Sequence, residues 1–561
     1  MIRTLRGVLG LGAMTIAGVL AGCGDDNPVD PGGVNPPASV SAQASSSTTA
    51  DVTFAPVIGA TSYIVERAPG ASGATFAQVG APTTPPFSDT GLEPNTTYRY
   101  RVAAVSGSTT SAFSSDAQVT TLAPGRQVVN VAADITTNTT WVADNVYRLQ
   151  GFRKVTSGAT LTIQPGTRIE GDFNTVGSSL FVLRGARIQA IGTAANPIVF
   201  TSSQTLGTRQ PGDWGGLILI GNGQINRADP TTLEGTGTTA DNPLINYAGG
   251  NNNADNSGEL RYVRVEFAGY APAENAELNS FTFAAVGSGT ALNYLQSLAG
   301  LDDSFEWFGG AVDGKYFVSY ESGDDHFDMS EGYSGRLQYL VALQTKILQP
   351  RPGAGGVSSD PQGIENDGCN GASCTNGQDS PPLTIPIVAN FTLIGTPTGV
   401  TIPAGGGRGM VLRRGTGGFY VNGLIGRWPT AGYSVRDAAT TGARQAAGLL
   451  DLDNLLVVET PALIDAENQV AVDAGANAIV HEAATTAASQ LTALPTDPAD
   501  AAALDWTPAA GSAAASGGLV TFTGELSTRA GSVVVGTAFR GAADPSGADK
   551  WWQTWTNYAD N

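Results

Sequence analysis

Residues 292–345 read LNYLQSLAGLDDSFEWFGGAVDGKYFVSYESGDDHFDMSEGYSGRLQYLVALQT, and the stretch repeats itself with an offset of 22 positions. At that offset Tyr294 falls on Tyr316, Leu295 on Phe317 and then Tyr339, Gln296 on Val318 and then Leu340, and Phe305 on Phe327. The acidic residues fall together too: Asp302 on Asp324, Asp303 on Asp325, and Glu306 on Asp328. A period of this size with a short apolar run in each unit marks a solenoid, whose units must stack to bury their faces. The runs hold four or five residues rich in Tyr, Phe, Val and Leu and end in Gly or Asp, which reads as strand. A coil of that length fits one turn of a parallel β-helix with neighbouring coils about 4.8 Å apart. Equivalent positions then form ladders, and the acidic positions become a row of carboxylates on one edge.

The 561 residues allow two to four domains. Only 14% of residues are charged while Gly is abundant, the profile of an extracellular all-β protein. A net charge of −20 argues against a nucleic-acid partner and suits divalent cations or neutral glycans better. Of the three cysteines, Cys369 and Cys374 lie in GCNGASC and read as a loop disulfide of an oxidising compartment. The rival, a Zn site, has a poor ligand set, since His326 and His481 are the whole histidine complement.

Taken in order, residues 1–22 combine Arg3 and Arg6 with an apolar run too short to span a membrane well, which predicts a signal peptide. The run ends in Leu20-Ala21-Gly22-Cys23, which resembles the bacterial lipobox; the resemblance implies lipidation of Cys23 and a membrane anchor, and Gly24 after it resembles lipoproteins sent to the outer membrane. Residues 23–36 are rich in Pro and Gly and read as a flexible tether, with Asp25-Asp26 either a surface-export signal or plain solvated linker. Residues 37–123 alternate as short strands between turns. Gly91-Leu92-Glu93-Pro94-Asn95-Thr96-Thr97-Tyr98 resembles the stretch before the sixth strand of a fibronectin type III domain, with Tyr98 at the tyrosine corner and Phe54 where many members carry Trp.

Residues 124–470 read as the parallel β-helix, with insertions such as 226–258 and 350–384 on its surface. From Trp214 through the repeat, and again at Gln362-Gly363-Ile364-Glu365-Asn366-Asp367, the chain resembles secreted and lipoprotein β-helices of marine and soil bacteria, which implies a fold and a location but no reaction. Residues 471–561 are expected to supply a surface helix around 476–494 and strands that close the solenoid, with Trp551, Trp552 and Trp555 plugging the open core rather than forming a carbohydrate platform.

The densest chemistry is Asp302, Asp303, Glu306, Asp324, Asp325, Asp328 and Glu331, with Glu365 and Asp367 as neighbours. Such an oxygen-rich set is what Ca²⁺ takes, so Ca²⁺ is the candidate cofactor. The plainer alternative is a hydrated edge of turn-capping aspartates. Gly323-Asp324-Asp325-His326 resembles the paired aspartates of polygalacturonase-like hydrolases, but that family's other segments have no counterpart. Lyase chemistry would need a base, for which Lys315 and Arg336 are the nearest in sequence. Lone His326 reads as structural, and Gly405-Gly406-Gly407-Arg408-Gly409 lacks the spacing of a phosphate loop. The expected protein is therefore a cell-envelope, outer-membrane or surface lipoprotein for adhesion or glycan binding; the alternative is a polysaccharide lyase or glycoside hydrolase using the acidic edge.

Overall fold

The computed structural model describes residues 34–238, 242–273, 276–495 and 504–559, so the export signal, Cys23 and most of the tether lie outside the described residues. The N-terminal domain pairs Ser41–Ala44, Thr49–Thr53 and Phe87–Thr90 in one antiparallel sheet. Ser62–Pro69, Ala77–Gly80, Thr97–Ser106, Thr109–Thr110 and Ala117–Thr120 form the other. Alternate residues of Thr97–Ser106 point inward, so Tyr98, Tyr100 and Val102 join Phe54 and Tyr63 in the core. The Glu93 amide donates to the Tyr98 hydroxyl at 3.0 Å, the contact that fixes a tyrosine corner.

From Gln127 onward all sheet pairing in the long solenoid is parallel, in a 17-stranded sheet and a 9-stranded sheet. The larger sheet is folded lengthwise, giving three faces. In each middle coil one strand, such as Ala291–Gly300, Asp313–Ser322 or Arg336–Leu343, bends at a left-handed residue and serves two of them. The bend falls on Tyr262, Tyr294, Tyr316, Tyr339, Asn390, Asn422 and Asn454, with φ between 50° and 66°. Asn tolerates that region; Tyr does so at a cost of order 1–2 kcal/mol. Stacking offsets it: the rings of Tyr262, Tyr294, Tyr316 and Tyr339 form a column with centroids 4.4, 4.5 and 5.1 Å apart.

The register confirms the repeat and corrects its third copy. Leu295 pairs with Phe317 and Gln296 with Val318 as expected, but Phe317 then meets Leu340 and Val318 meets Val341, not Tyr339 and Leu340. The turn after Phe327–Ser330 runs through residues 331–335, one residue longer than the turn through 309–312 after Phe305–Phe308. Inside, Phe281, Phe305 and Phe327 stack at 4.9 and 5.5 Å. Gly323 is required where coils touch, because a Cβ there would lie 1.7 Å from the Leu301 carbonyl oxygen.

The C-terminal region departs from expectation. Of the helix expected around 476–494 only Ala487–Gln490 is helical, while Val480–Glu482 adds a parallel strand to the long sheet beside Leu456–Val458. The segments expected as closing strands instead give the helix Gly524–Ala530 and irregular chain. Val470, Val472 and Ile479 pack on the main core, ahead of the tryptophans in sequence. Trp551 and Trp555 lie against the tyrosine column, Trp555 edge-on to Tyr262 and Tyr294 at 5.7 and 6.2 Å and Trp551 against Tyr316 at 5.3 Å. The tryptophans therefore cover a flank rather than plug an end: outward-bent tyrosines leave an apolar stripe that the last residues bury.

Candidate functional site

The nine-stranded sheet presents the acidic row. Its strands Phe281–Ala284, Phe305–Phe308, Phe327–Ser330 and Ile364–Asp367 alternate, sending Phe or Ile inward and Thr282, Glu306, Asp328 and Glu365 outward in register. The turns before these strands form a second ladder. Asn279 Oδ1 accepts the Asp303 amide at 3.1 Å, Asp303 Oδ1 the Asp325 amide at 2.9 Å, Asp325 Oδ1 the Gln362 amide at 2.5 Å, and Gln362 Oε1 the Arg408 amide at 2.9 Å. Each side chain thus caps the next coil's backbone, so Asp303 and Asp325 have a structural duty that their sequence spacing alone does not reveal.

Three triads bring one carboxylate oxygen per residue within 4.8 Å of one another: Asp302, Asp303 and Asp324; Asp303, Glu306 and Asp328; and Asp325, Asp328 and Glu365. Ionised neighbours at that distance repel by on the order of 3 kcal/mol per pair at an effective dielectric near 20. The carboxyls respond. Burial first, then the neighbouring carboxylates, hold Asp302, Asp303, Glu306 and Asp325 well above the usual range. Burial and Asp367 do the same for Asp328 and Glu365. Asp324, under burial eased by a hydrogen bond from Ser358, is pushed up to about 7.

Of these, Asp302, Asp303, Glu306, Asp324 and Asp328 line a cleft of about 500 Å³ whose wall includes Glu234, Glu277 and Asp360 as well. Among the described residues, none that lines it is basic. Glu234 and Glu277 come from the insertion after Leu217–Ile220 and the turn before Phe281–Ala284, both outside the repeat, and the sequence reading does not include them; burial and Glu277 raise Glu234 to about 8. Asp328 Oδ1 is buried and has no hydrogen-bond partner among the described residues. A buried, unpartnered carboxylate oxygen among others fits a hard divalent cation, and the all-oxygen donor set is that of Ca²⁺ rather than a softer metal.

Glu331, grouped with this set from the sequence, is elsewhere. It accepts from the Tyr247 hydroxyl and pairs with Arg227, so its negative charge is already met. Asp367 and Glu365 share Arg413, and Asp367 also pairs with Arg414, which closes the row at that end with positive charge. The two bases considered from sequence also move away. Lys315 and Arg336 lie on strands of the long sheet, and Arg336 grips Asp313 through two nitrogens at 2.8 and 2.6 Å. His326 is buried, shares a 2.6 Å hydrogen bond with Ser319, stands edge-on to Trp428, and is held neutral by burial, its pKa pushed down to about 3. Cys369 and Cys374 are joined, and the loop carrying them bonds the other insertion through Ala228 and Ser373. The glycine run at 405–409 bonds the preceding coil through Ser359 and Pro361.

No curated protein matches the chain. Among solved structures it is similar to an Fn3-like protein from Clostridium thermocellum (32% identity, 15% of this chain and 93% of that chain, TM-score 0.14) and to the FN5 domain of Drosophila Lar (24%, 16% and 97%, TM-score 0.15). It is likewise similar to the fn3 domain of human collagen alpha-1(XX) chain (21%, 17% and 93%, TM-score 0.16). At those scores no argument rests on them. Residues 35–120 match the fibronectin type III domain model. Residues 133–508, well over half of the chain, match the model described as pectate-lyase like beta helix domain, and the chain belongs to that family.

Proposed function

We propose that the protein is an envelope-anchored lipoprotein in which the fibronectin type III domain spaces the β-helix from the membrane and the acidic cleft binds glycans through Ca²⁺. The observation that carries this reading is the two carboxylate triads, Asp302, Asp303 and Asp324 with Asp303, Glu306 and Asp328, along one open cleft whose described lining residues include no base. Ca²⁺ takes six to eight oxygen ligands at about 2.3–2.6 Å. A triad supplies one oxygen per residue, which leaves positions for sugar hydroxyl or carboxylate oxygens. The wager on the anchor is Cys23.

The lyase named in the family's description supplies the second reading. Abstraction of a sugar proton needs a base facing the cation, and Arg413, at the edge of the row, is engaged by Glu365 and Asp367 and held above its ordinary pKa by them. Binding is therefore the reading the geometry favours. The full-length chain is to be tested on a panel of neutral and uronate-bearing polysaccharides with and without Ca²⁺. Retention that requires Ca²⁺, with no release of reducing ends, supports binding. Sustained chain cleavage would replace it with the enzyme, and retention indifferent to chelator would remove Ca²⁺ from the account. Cys23→Ser should move the protein from the membrane fraction to the soluble one.

A further inference from the structure

Beside the acidic cleft lies a much smaller hollow of about 20 Å³, and Asp324 and Val357 line both. Its wall is mostly apolar, built from Ile347, Leu348, Pro361, Ile402, Pro403 and Trp428. The two prolines have no backbone N–H to offer. The one polar atom of Trp428, its indole Nε1, donates to the Leu393 carbonyl at 3.1 Å. The polar side chains on the wall are engaged with the chain, with one exception. The Ser322 hydroxyl lies 3.0 and 2.9 Å from the carbonyl oxygens of Asp302 and Asp325 and is shared between them. Gln344 accepts from the Ser322 amide at 2.9 Å and donates to the Lys346 carbonyl at 2.7 Å. Gln362 donates to the Asp360 carbonyl at 2.7 Å and accepts from the Arg408 amide at 2.9 Å. His326 is taken by Ser319, and Asp324 accepts from Ser358. The exception is Thr396, 4% exposed, whose hydroxyl has no hydrogen-bond partner among the described residues.

A buried hydroxyl in an apolar hollow is unfavourable until something accepts from it. Water fits by size, since about 10–15 Å³ admits one molecule, but an ordered water wants roughly two to four polar partners and this wall leaves it one. A methyl group with a carbonyl oxygen beside it meets both conditions. The methyl fills the apolar space, and the oxygen accepts from Thr396.

We propose that this hollow is a specificity pocket for the acetyl group of an O-acetylated glycan held in the acidic cleft, an assignment that rests on glycan binding there. A methyl ester carries the same two groups, but it masks the sugar carboxylate that a cation in the cleft takes. An acetyl group on a ring hydroxyl leaves that carboxylate free to bind the cation. Asp324 and Val357, common to both hollows, mark where the sugar ring crosses from one to the other. The cleft then supplies the affinity for the charged glycan, and the hollow discriminates between its acetylated and bare forms.

The test titrates the full-length chain, with Ca²⁺ present, with O-acetylated oligogalacturonates and with the same oligosaccharides after mild alkaline deacetylation. One buried methyl and one hydrogen bond predict that the acetylated sample binds about tenfold more tightly. Thr396→Val keeps the shape and removes the hydroxyl, so it should cut that preference at least threefold while leaving the affinity for the deacetylated sample and the Ca²⁺ response unchanged. Ile402→Trp, which fills the hollow from its wall, should abolish the preference. Should Ile402→Trp fold poorly, Thr396→Val decides alone, since it gives up no hydrogen bond of the folded chain. Equal affinity for the two samples, or a preference that Thr396→Val leaves intact, would overturn the acetyl pocket and leave the cleft standing. Binding of neither sample would overturn both.

Discussion

Raising the pH of the cation-free protein from 5 to 8 should destabilise it, and Ca²⁺ should reverse the loss at pH 8 but not at pH 5. In the fold Asp324 titrates near 7 against an ordinary 3.8, and Glu234 near 8 against 4.5, so between those values the folded chain holds protons that the unfolded chain has released. Stability is then full below about pH 4 and declines as pH rises through 7 to 8. For Asp324 alone, the roughly two decades between pH 5 and its folded value at 1.36 kcal/mol each give about 3 kcal/mol, which solvent in the open cleft reduces to on the order of 1–2 kcal/mol. The neighbouring triads add in the same direction. A cation that binds only the fold at a thousand times its Kd returns about 4 kcal/mol. An unfolding entropy of about 2 cal/mol/K per residue over roughly 400 residues converts each kcal/mol to about 1 °C in Tm. Differential scanning calorimetry at pH 5 and pH 8, each with chelator and with saturating Ca²⁺, should therefore give a lower Tm at pH 8 in chelator and a rise of about 4 °C on adding Ca²⁺ at pH 8. Calorimetric titration at pH 6.5 should also register proton release on binding, because the ion takes ionised carboxylates. A cation-free Tm that is flat or rising over this range, or a Ca²⁺ response equal at both pH values, would refute the reasoning.

Three further outcomes follow from particular contacts. Asp303→Asn keeps an acceptor for the Asp325 amide while removing one charge from two triads, so in chelator at pH 8 it should match or exceed the native Tm but bind Ca²⁺ at least tenfold more weakly; Asp303→Ala should lose about 1–3 kcal/mol by stranding that amide. Phe305→Ala removes a ring stacked on Phe281, Phe317 and Phe327 and should cost about 3–5 kcal/mol in urea unfolding. Trp555→Ala should cost a similar amount and expose the C-terminal segment to limited proteolysis, since Trp555 spans Tyr262 and Tyr294 and its carbonyl accepts from Arg264.

The parallel coil was legible because a solenoid writes its fold as a local repeat: Tyr294 over Tyr316 and Asp303 over Asp325 are fixed by chain spacing once strands run parallel and in register. Chain spacing misplaces Tyr339, because one extra residue in the turn before its strand shifts the pairing without disturbing the apolar pattern. The fibronectin type III domain was legible through Tyr98 and the residues before it, because a tyrosine corner needs a fixed local geometry. What the sequence by itself determined, then, was the pitch of the coil and the existence of an acidic edge. Only the tertiary structure decided that Glu234 and Glu277 join that edge, that Glu331 leaves it for Arg227, and that Trp551 and Trp555 cover a flank rather than an end. Those outcomes depend on where long insertions and the last residues come to rest, which is set by charge and apolar area meeting between segments outside the repeat and the coils they cover, and leaves no periodic trace in the chain.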